Sequence, residues 1–129
     1  MRKRVRRLKH IFPLRGFTRS AEFAAKGIIY LFLYHRNMRI IFIAGAVAML
    51  LGVILRLEGL ELVALCLTIT LVFIAEIFNT AVELMIDMFT RKNHPLIKLV
   101  KDIAAAVVLI ASLNALAVGF ILFMRRILR

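Results

Sequence analysis

Four polar side chains interrupt one of the most apolar stretches of the chain, the segment EIFNTAVELMID at positions 76–87. They are three carboxylates and one amide, namely Glu76, Asn79, Glu83 and Asp87. On a helix with about 100° between residues, these side chains and Thr80 share one edge that is roughly 16 Å long. Asn and Thr alone would fit hydrogen bonds between packed helices. Three aligned carboxylates repel one another unless protons or cations neutralise them, so the edge predicts a functional site.

The sequence after this edge contains groups that bind phosphate. Pro95 suits the first turn of a helix, and either Asn93 or His94 suits the capping position before it. The free N–H groups of such a helix start accept phosphate oxygens. Two lysines and a carboxylate follow, at Lys98, Lys101 and Asp102. Because Mg²⁺ prefers carboxylate and phosphate oxygens, the two segments together predict a nucleotide and metal site. The basic residues alone would indicate only a solvated loop.

The elements that position these residues are long and apolar. Hydrophobic residues make up 63% of the 129 residues, well above the roughly 45–50% of a soluble domain, which predicts a single all-α membrane domain over 1–129. A basic arm is predicted at 1–15, and an amphipathic helix lying in the membrane interface at 17–36. The apolar segments predict three transmembrane helices, at 38–57, 60–89 and 95–124. The only cysteine, Cys66, excludes a disulfide framework.

The distribution of charge predicts the orientation in the membrane. Residues 1–39 hold eleven Lys or Arg and one acid, which is typical of a cytoplasmic flank and places the N-terminus in the cytoplasm. The connection RLEGLE holds two acids and one base, whereas RKNHPLIKLVK holds four bases and no acid. The second connection is therefore cytoplasmic as well. Three spans then put the C-terminal RRILR outside, against the charge rule. No nucleic-acid-reading module accompanies the net charge of +12, so nucleic acid is not a predicted partner.

The segment EIFNTAVELMID resembles the signature of the bacterial integral-membrane lipid kinases, the family of diacylglycerol kinase and undecaprenol kinase. That signature reads roughly E-x-[aliphatic]-N-[ST]-[small]-[aliphatic]-E-x-x-V-D. This chain has Phe78 at the aliphatic position and Ile86 in place of Val. The similarity continues through HPLIKLVKDIAAAVVLIA and covers about residues 70–120.

The resemblance implies a homotrimer in the bacterial cell membrane that uses ATP and Mg²⁺ to phosphorylate a lipid hydroxyl at the cytoplasmic face. It implies that Glu76 is the general base for the lipid alcohol, with Asn79 beside it at the lipid substrate. Glu83 matches a metal ligand that also contacts the nucleotide. The other nucleotide contacts implied by the resemblance are Lys92, Asn93, His94, Lys101 and Asp102.

One position departs from the family pattern. The family has E-x-N-[FM]-R, in which the Glu is the second carboxylate on the metal, and this chain reads HRNMRI with His35 at that place. Imidazole suits Mn²⁺ or Zn²⁺ better than Mg²⁺. Four interpretations stay open: His35 is a metal ligand with an altered preference, another carboxylate substitutes, the kinase is weakened, or His35 is simply an interfacial side chain.

Two other function classes compete with the lipid kinase. Aligned acids in a helical bundle can line an ion or proton channel, but a channel needs a polar edge across the whole bilayer. The first and third apolar segments offer little beyond Ser112 and Asn114. A non-catalytic structural trimer is the other class, and His35 favours it. Whether a kinase would act on undecaprenol or diacylglycerol is open, although the sequence from 94 to 120 resembles the undecaprenol kinases more.

Overall fold

The described part of the chain, residues 14–89 and 94–128 of a computed structural model, is all helical, as predicted. It contains four helices, which we number α1 (Leu14–Tyr34), α2 (Arg36–Ile54), α3 (Leu60–Phe89) and α4 (Pro95–Ile127). Most of the basic arm at 1–15 lies outside the described residues. The first unit ends at His35, and α2, α3 and α4 belong to a second unit.

Three helices, α2, α3 and α4, are long and apolar enough to cross a membrane, which confirms that part of the prediction. At 1.5 Å per residue they are about 28, 45 and 50 Å long. The hydrocarbon core is only about 30 Å thick, so α3 and α4 are long enough to extend beyond it. Most large apolar side chains on these helices are exposed on the single chain, as expected where lipid or another copy covers them.

Helix α1 forms the described part of the first unit. Its charged side chains include an exposed ion pair between Glu22 and Lys26, whose atoms Oε1 and Nζ are 2.6 Å apart. The pair connects adjacent turns (i, i+4), which stabilises a helix modestly. Attachment of this helix to the membrane interface remains a prediction.

Helix α3 packs against both α2 and α4. Small residues on α2 allow close contact: a Cβ added at Gly45 would lie 2.9 Å from Cγ2 of Ile69, and one added at Gly52 would lie 2.9 Å from Cδ2 of Leu65. Two apolar clusters fill the interior. The first is centred on Leu57, Leu65 and Leu122, and the second on Val72, Ala75 and Ala111. The second cluster fixes the face of α3 that continues into the polar edge.

Helix α2 ends earlier than the predicted 57 because its last turn closes on itself. The backbone N–H of Leu57 donates to the carbonyl of Gly52 at 2.9 Å, and that of Arg56 to Val53 at 3.0 Å. Arg56 has a φ of 55°, the left-handed conformation that usually falls to Gly at a helix C-terminus. The buried side chain of Leu57 then packs into the first apolar cluster.

An ion pair joins the start of α3 to the end of α4. Nη2 of Arg126 lies 2.7 Å from Oε2 of Glu61, and its Nε donates to the same oxygen at 3.2 Å. Arg125 lies within 3.9 Å of the other carboxylate oxygen. Both Glu61 and Arg126 are about three-quarters buried, so their charges neutralise each other at this end of the bundle. Helix α4 correspondingly runs three residues past the predicted 124.

Candidate functional site

The polar edge of α3 changes from buried to exposed along its length. Glu76, Asn79 and Thr80 are 4%, 8% and 2% exposed, whereas Glu83 is half-buried and Asp87 is exposed. The buried end directly follows Val72 and Ala75, whose packing against Ala111 of α4 turns this face inward. The edge therefore connects the interior of the helical unit with its surface at the end of α3.

Glu76 is a buried carboxylate without a partner among the described residues, since none of them donates a hydrogen bond to it or pairs with its charge. A buried polar group is costly unless it is hydrogen-bonded, and a buried charge more so. A ligand that donates a hydrogen bond would remove this cost.

Asn79 lies between Glu76 and the outer part of the edge. Its Nδ2 donates to Oε1 of Glu83 at 3.2 Å, one helical turn away. Its Oδ1 is fully buried and has no hydrogen-bond partner in the described part of the chain. Buried carbonyl oxygens are almost always satisfied, so this atom marks a second place where a bound group would complete the site.

A second group of charges lies where α3 ends and α4 begins. Nζ of Lys101 is 2.7 Å from Oδ1 of Asp87, and this pair joins the two helices. Lys98 and Asp102 are exposed on the first turns of α4. The ammonium of Lys101 is therefore held at the outer end of the polar edge.

The start of α4 has the capping geometry that the sequence predicts. Nδ1 of His94 accepts a hydrogen bond from the backbone N–H of Leu96 at 3.3 Å, and Pro95 occupies the first helical turn. The partial positive charge of a helix N-terminus favours phosphate. Lys92 and Asn93, the other predicted nucleotide contacts in this segment, lie outside the described residues.

His35 belongs to the first unit and ends it. Its backbone N–H still donates to the carbonyl of Leu31 at 2.9 Å, in helical fashion. Its half-buried ring lies 5.8 Å from that of Tyr30, centroid to centroid, and Tyr30 in turn lies 4.8 Å from Tyr34. The ring is thus part of a small aromatic group at the end of α1.

The oxygen atoms of this site fit a magnesium ion that is shared with a substrate. The described residues bring together no group of three or more His, Cys, Asp or Glu side chains that could hold a metal alone. Mg²⁺ is commonly bound by one or two carboxylates and by substrate phosphates. The Glu83 carboxylate, which accepts a hydrogen bond from Nδ2 of Asn79, matches that chemistry.

Two features of the site do not follow from sequence spacing. The alignment of Asp87 on the edge is visible in the sequence, but its pairing with Lys101 depends on how α3 and α4 meet. The unsatisfied oxygen of Asn79 likewise depends on packing. The sequence signal for this ion pair is weak. It consists only of an acid, Asp87, and a base, Lys101, fourteen residues apart on either side of a predicted interhelical turn.

The whole site lies in a region that is similar to known proteins. Residues 22–123 match the family described as prokaryotic diacylglycerol kinase. A diacylglycerol kinase from Synechocystis is 38% identical over 101 residues, which are 78% of this chain and 58% of that protein. An undecaprenol kinase from Bacillus subtilis is 30% identical over 118 residues, 92% of this chain and 96% of that protein. A diacylglycerol kinase from Escherichia coli is 31% identical over 110 residues, 83% and 90% of the two chains.

Proposed function

The chain belongs to the prokaryotic diacylglycerol kinase family, and from this membership we propose that it transfers the γ-phosphoryl group of ATP to the hydroxyl of a membrane lipid. Undecaprenol and diacylglycerol are the two candidate substrates. The observation that carries the proposal is the buried carboxylate of Glu76, which has no partner among the described residues and lies about one helical turn from Asn79 and two turns from Glu83. A base and a phosphate-binding region then lie in order along one helix edge.

In the proposed reaction, Glu76 accepts the proton of the lipid hydroxyl while the hydroxyl oxygen forms a bond to the γ-phosphorus of ATP. The bond from that phosphorus to the bridging oxygen breaks, and ADP leaves with the electron pair. Asn79 fixes the rotamer of Glu83 through its Nδ2 and offers Oδ1 to the lipid headgroup. Phosphoryl transfer depends mostly on such positioning and on charge neutralisation.

The nucleotide would lie at the outer end of the edge. The first turn of α4, after its N-cap His94, would supply backbone N–H groups to the phosphates of the nucleotide, and Lys101 would supply a positive charge. Lys92, Asn93 and Asp102 complete the proposed contacts. Bound Mg²⁺ would neutralise phosphate charge, with Glu83 as a proposed protein ligand. The resemblance alone implies His35 as the other ligand, and because of its imidazole Mn²⁺ or Zn²⁺ are the proposed alternatives.

The depth of these groups suits a reaction between a membrane lipid and a soluble nucleotide. Glu76 lies about 10 Å from Glu83 along the helix axis. A lipid hydroxyl is held near the bilayer surface, and ATP reaches the site from water. We propose that α1 lies in the membrane interface and that three copies assemble, because the family resemblance implies both.

The test is phosphoryl transfer by the purified full chain in detergent micelles. With γ-labelled ATP and Mg²⁺, we expect label in the extracted lipid when undecaprenol or diacylglycerol is present, and none when the lipid or the metal is omitted. The ratio of kcat/KM for the two lipids identifies the substrate. Absence of labelled lipid with both substrates and with Mg²⁺, Mn²⁺ and Zn²⁺ would overturn the proposed function.

The proposed orientation has the N-terminus and the α3–α4 connection in the cytoplasm of a bacterial cell membrane. The ion pair between Glu61 and Arg126 supports it, because it neutralises one base of the C-terminal RRILR segment at the opposite end. In a chain with Cys66→Ala, a cysteine at exposed Glu58 should react with an impermeant thiol reagent added to intact cells. A cysteine at exposed Lys98 should react only after the membrane is opened. The reverse pattern would contradict the orientation.

A further inference from the structure

The ion pair between Asp87 and Lys101 connects a carboxylate without a proposed role to a lysine of the proposed nucleotide site. Asp87 lies in the last turn of α3 and Lys101 in the second turn of α4, and Nζ and Oδ1 are 2.7 Å apart. The Asp87 side chain is 62% exposed and that of Lys101 is 38% exposed. Such exposed pairs add little to folding stability, so the contact has scope for another role.

The contact limits where the lysine ammonium can lie. A free lysine side chain has four rotatable bonds, and ordering it on a ligand has an entropic cost. Asp87 uses one of the three ammonium donors, which leaves two for phosphate oxygens. Asp87 also lies one turn beyond Glu83 on the same helix edge, so the pair holds the ammonium close to the proposed phosphate position.

We propose that Asp87 is a positioning residue that orders Lys101 for the phosphates of ATP before the nucleotide binds. The inference rests on the proposed function, because it assigns the nucleotide to this end of the edge. It differs from two simpler roles. A pair that only joins α3 to α4 would affect stability and not nucleotide binding, and a carboxylate that competes with ATP for Lys101 would weaken binding.

The test is the Asp87→Asn variant, which keeps the shape of the side chain and removes its charge. We expect KM for ATP to rise about threefold to fivefold, the scale expected for an exposed ion pair, with kcat changed less than about twofold. Asp87→Glu should restore most of the affinity. Glu58→Gln is the matched control, since it neutralises an exposed carboxylate in the connection before α3, at the opposite end of that helix from Asp87, and its KM should equal that of the parent.

A double-mutant cycle separates ordering of Lys101 from a direct effect of Asp87. In a Lys101→Met background, Asp87→Asn should change KM no further, because the side chain it acts through is gone. An equal rise in KM with and without Lys101 would overturn the proposal. So would an unchanged KM with a lowered unfolding temperature, which indicates a joining role, or a lowered KM, which indicates competition.

The same variants should be compared by equilibrium binding of a non-hydrolysable ATP analogue without lipid. This measurement reports on Asp87 even if no lipid is phosphorylated, so it distinguishes failure of this inference from failure of the proposed function. We expect the dissociation constant to rise by the same factor as KM. If Asp87→Asn binds the analogue with the same dissociation constant as the parent, the inference is overturned.

Discussion

Replacing Glu76 by Gln should lower the turnover of lipid phosphorylation by at least about 100-fold, the usual scale of general acid–base catalysis. The variant keeps the size of the side chain and its capacity to hydrogen-bond with a lipid hydroxyl. It loses only the ability to take the proton. Glu83, the one proposed nucleotide contact on α3, lies about 10 Å from Glu76 along the helix axis, and the others belong to α4 and the segment before it, so KM for ATP should change little.

The measurement is the initial rate of phosphoryl transfer at saturating ATP and lipid, with Glu58→Gln as the control for the same change of side chain at an exposed position away from the site. Glu76 is 4% exposed, so the unfolding temperature in detergent must be followed as well. Gln removes a buried charge without a described partner, and the variant should therefore be at least as stable as the parent. A stable Gln variant with near-full turnover would show that Glu76 is not the base.

The fold could largely be predicted from the sequence because a bilayer allows few solutions. Long apolar segments must form helices when no water satisfies their backbone groups, and three such helices are present. Their ends depend on local geometry instead. Helix α2 stops at Ile54 because Arg56 adopts a positive φ, and α4 continues to Ile127, where Arg126 meets Glu61. Neither event follows from a hydrophobic pattern.

The candidate site could be predicted only in part, for a similar reason. The period of a helix places Glu76, Asn79 and Glu83 on one edge, and their spacing is fixed by α3 alone. The burial of Glu76 depends on the packing of Val72 and Ala75 against α4, which the spacing does not determine. The ion pair of Asp87 with Lys101 depends on the same packing. Groups held by one helix were thus predictable, and groups brought together by two helices were not.

Replacing His35 by Glu should lower the Mg²⁺ concentration for half-maximal rate by about tenfold, on the scale by which one group near a metal changes its affinity. The reason is the resemblance to the family, which implies that His35 stands at the place of the second metal-binding carboxylate. A site with imidazole at this place has one oxygen ligand and one negative charge fewer. Mg²⁺ demands oxygen ligands in octahedral geometry, so it should bind the parent weakly.

The parent should then favour Mn²⁺ over Mg²⁺ more than His35→Glu does, because Mn²⁺ accepts an imidazole ligand better. His35→Ala should be no more active with Mg²⁺ than the parent, since it removes the imidazole without adding an oxygen. Initial rates against both metals in the three proteins test these expectations, and equilibrium Mn²⁺ binding gives a second reading independent of turnover. All three proteins should fold alike, because His35 lies at the end of α1 beside Tyr30 rather than in an apolar cluster.

A His35→Glu variant with no gain in Mg²⁺ affinity would mean that His35 is not at the metal. Its ring would then be one member of the aromatic group with Tyr30 and Tyr34, an arrangement typical of side chains at a membrane interface. Position 35 would then not supply the second metal ligand beside Glu83. In that case an unchanged Mg²⁺ requirement with full phosphoryl transfer indicates a carboxylate from elsewhere in the chain or from another copy. Absence of phosphoryl transfer in all three proteins would indicate the alternative function class, a non-catalytic structural trimer.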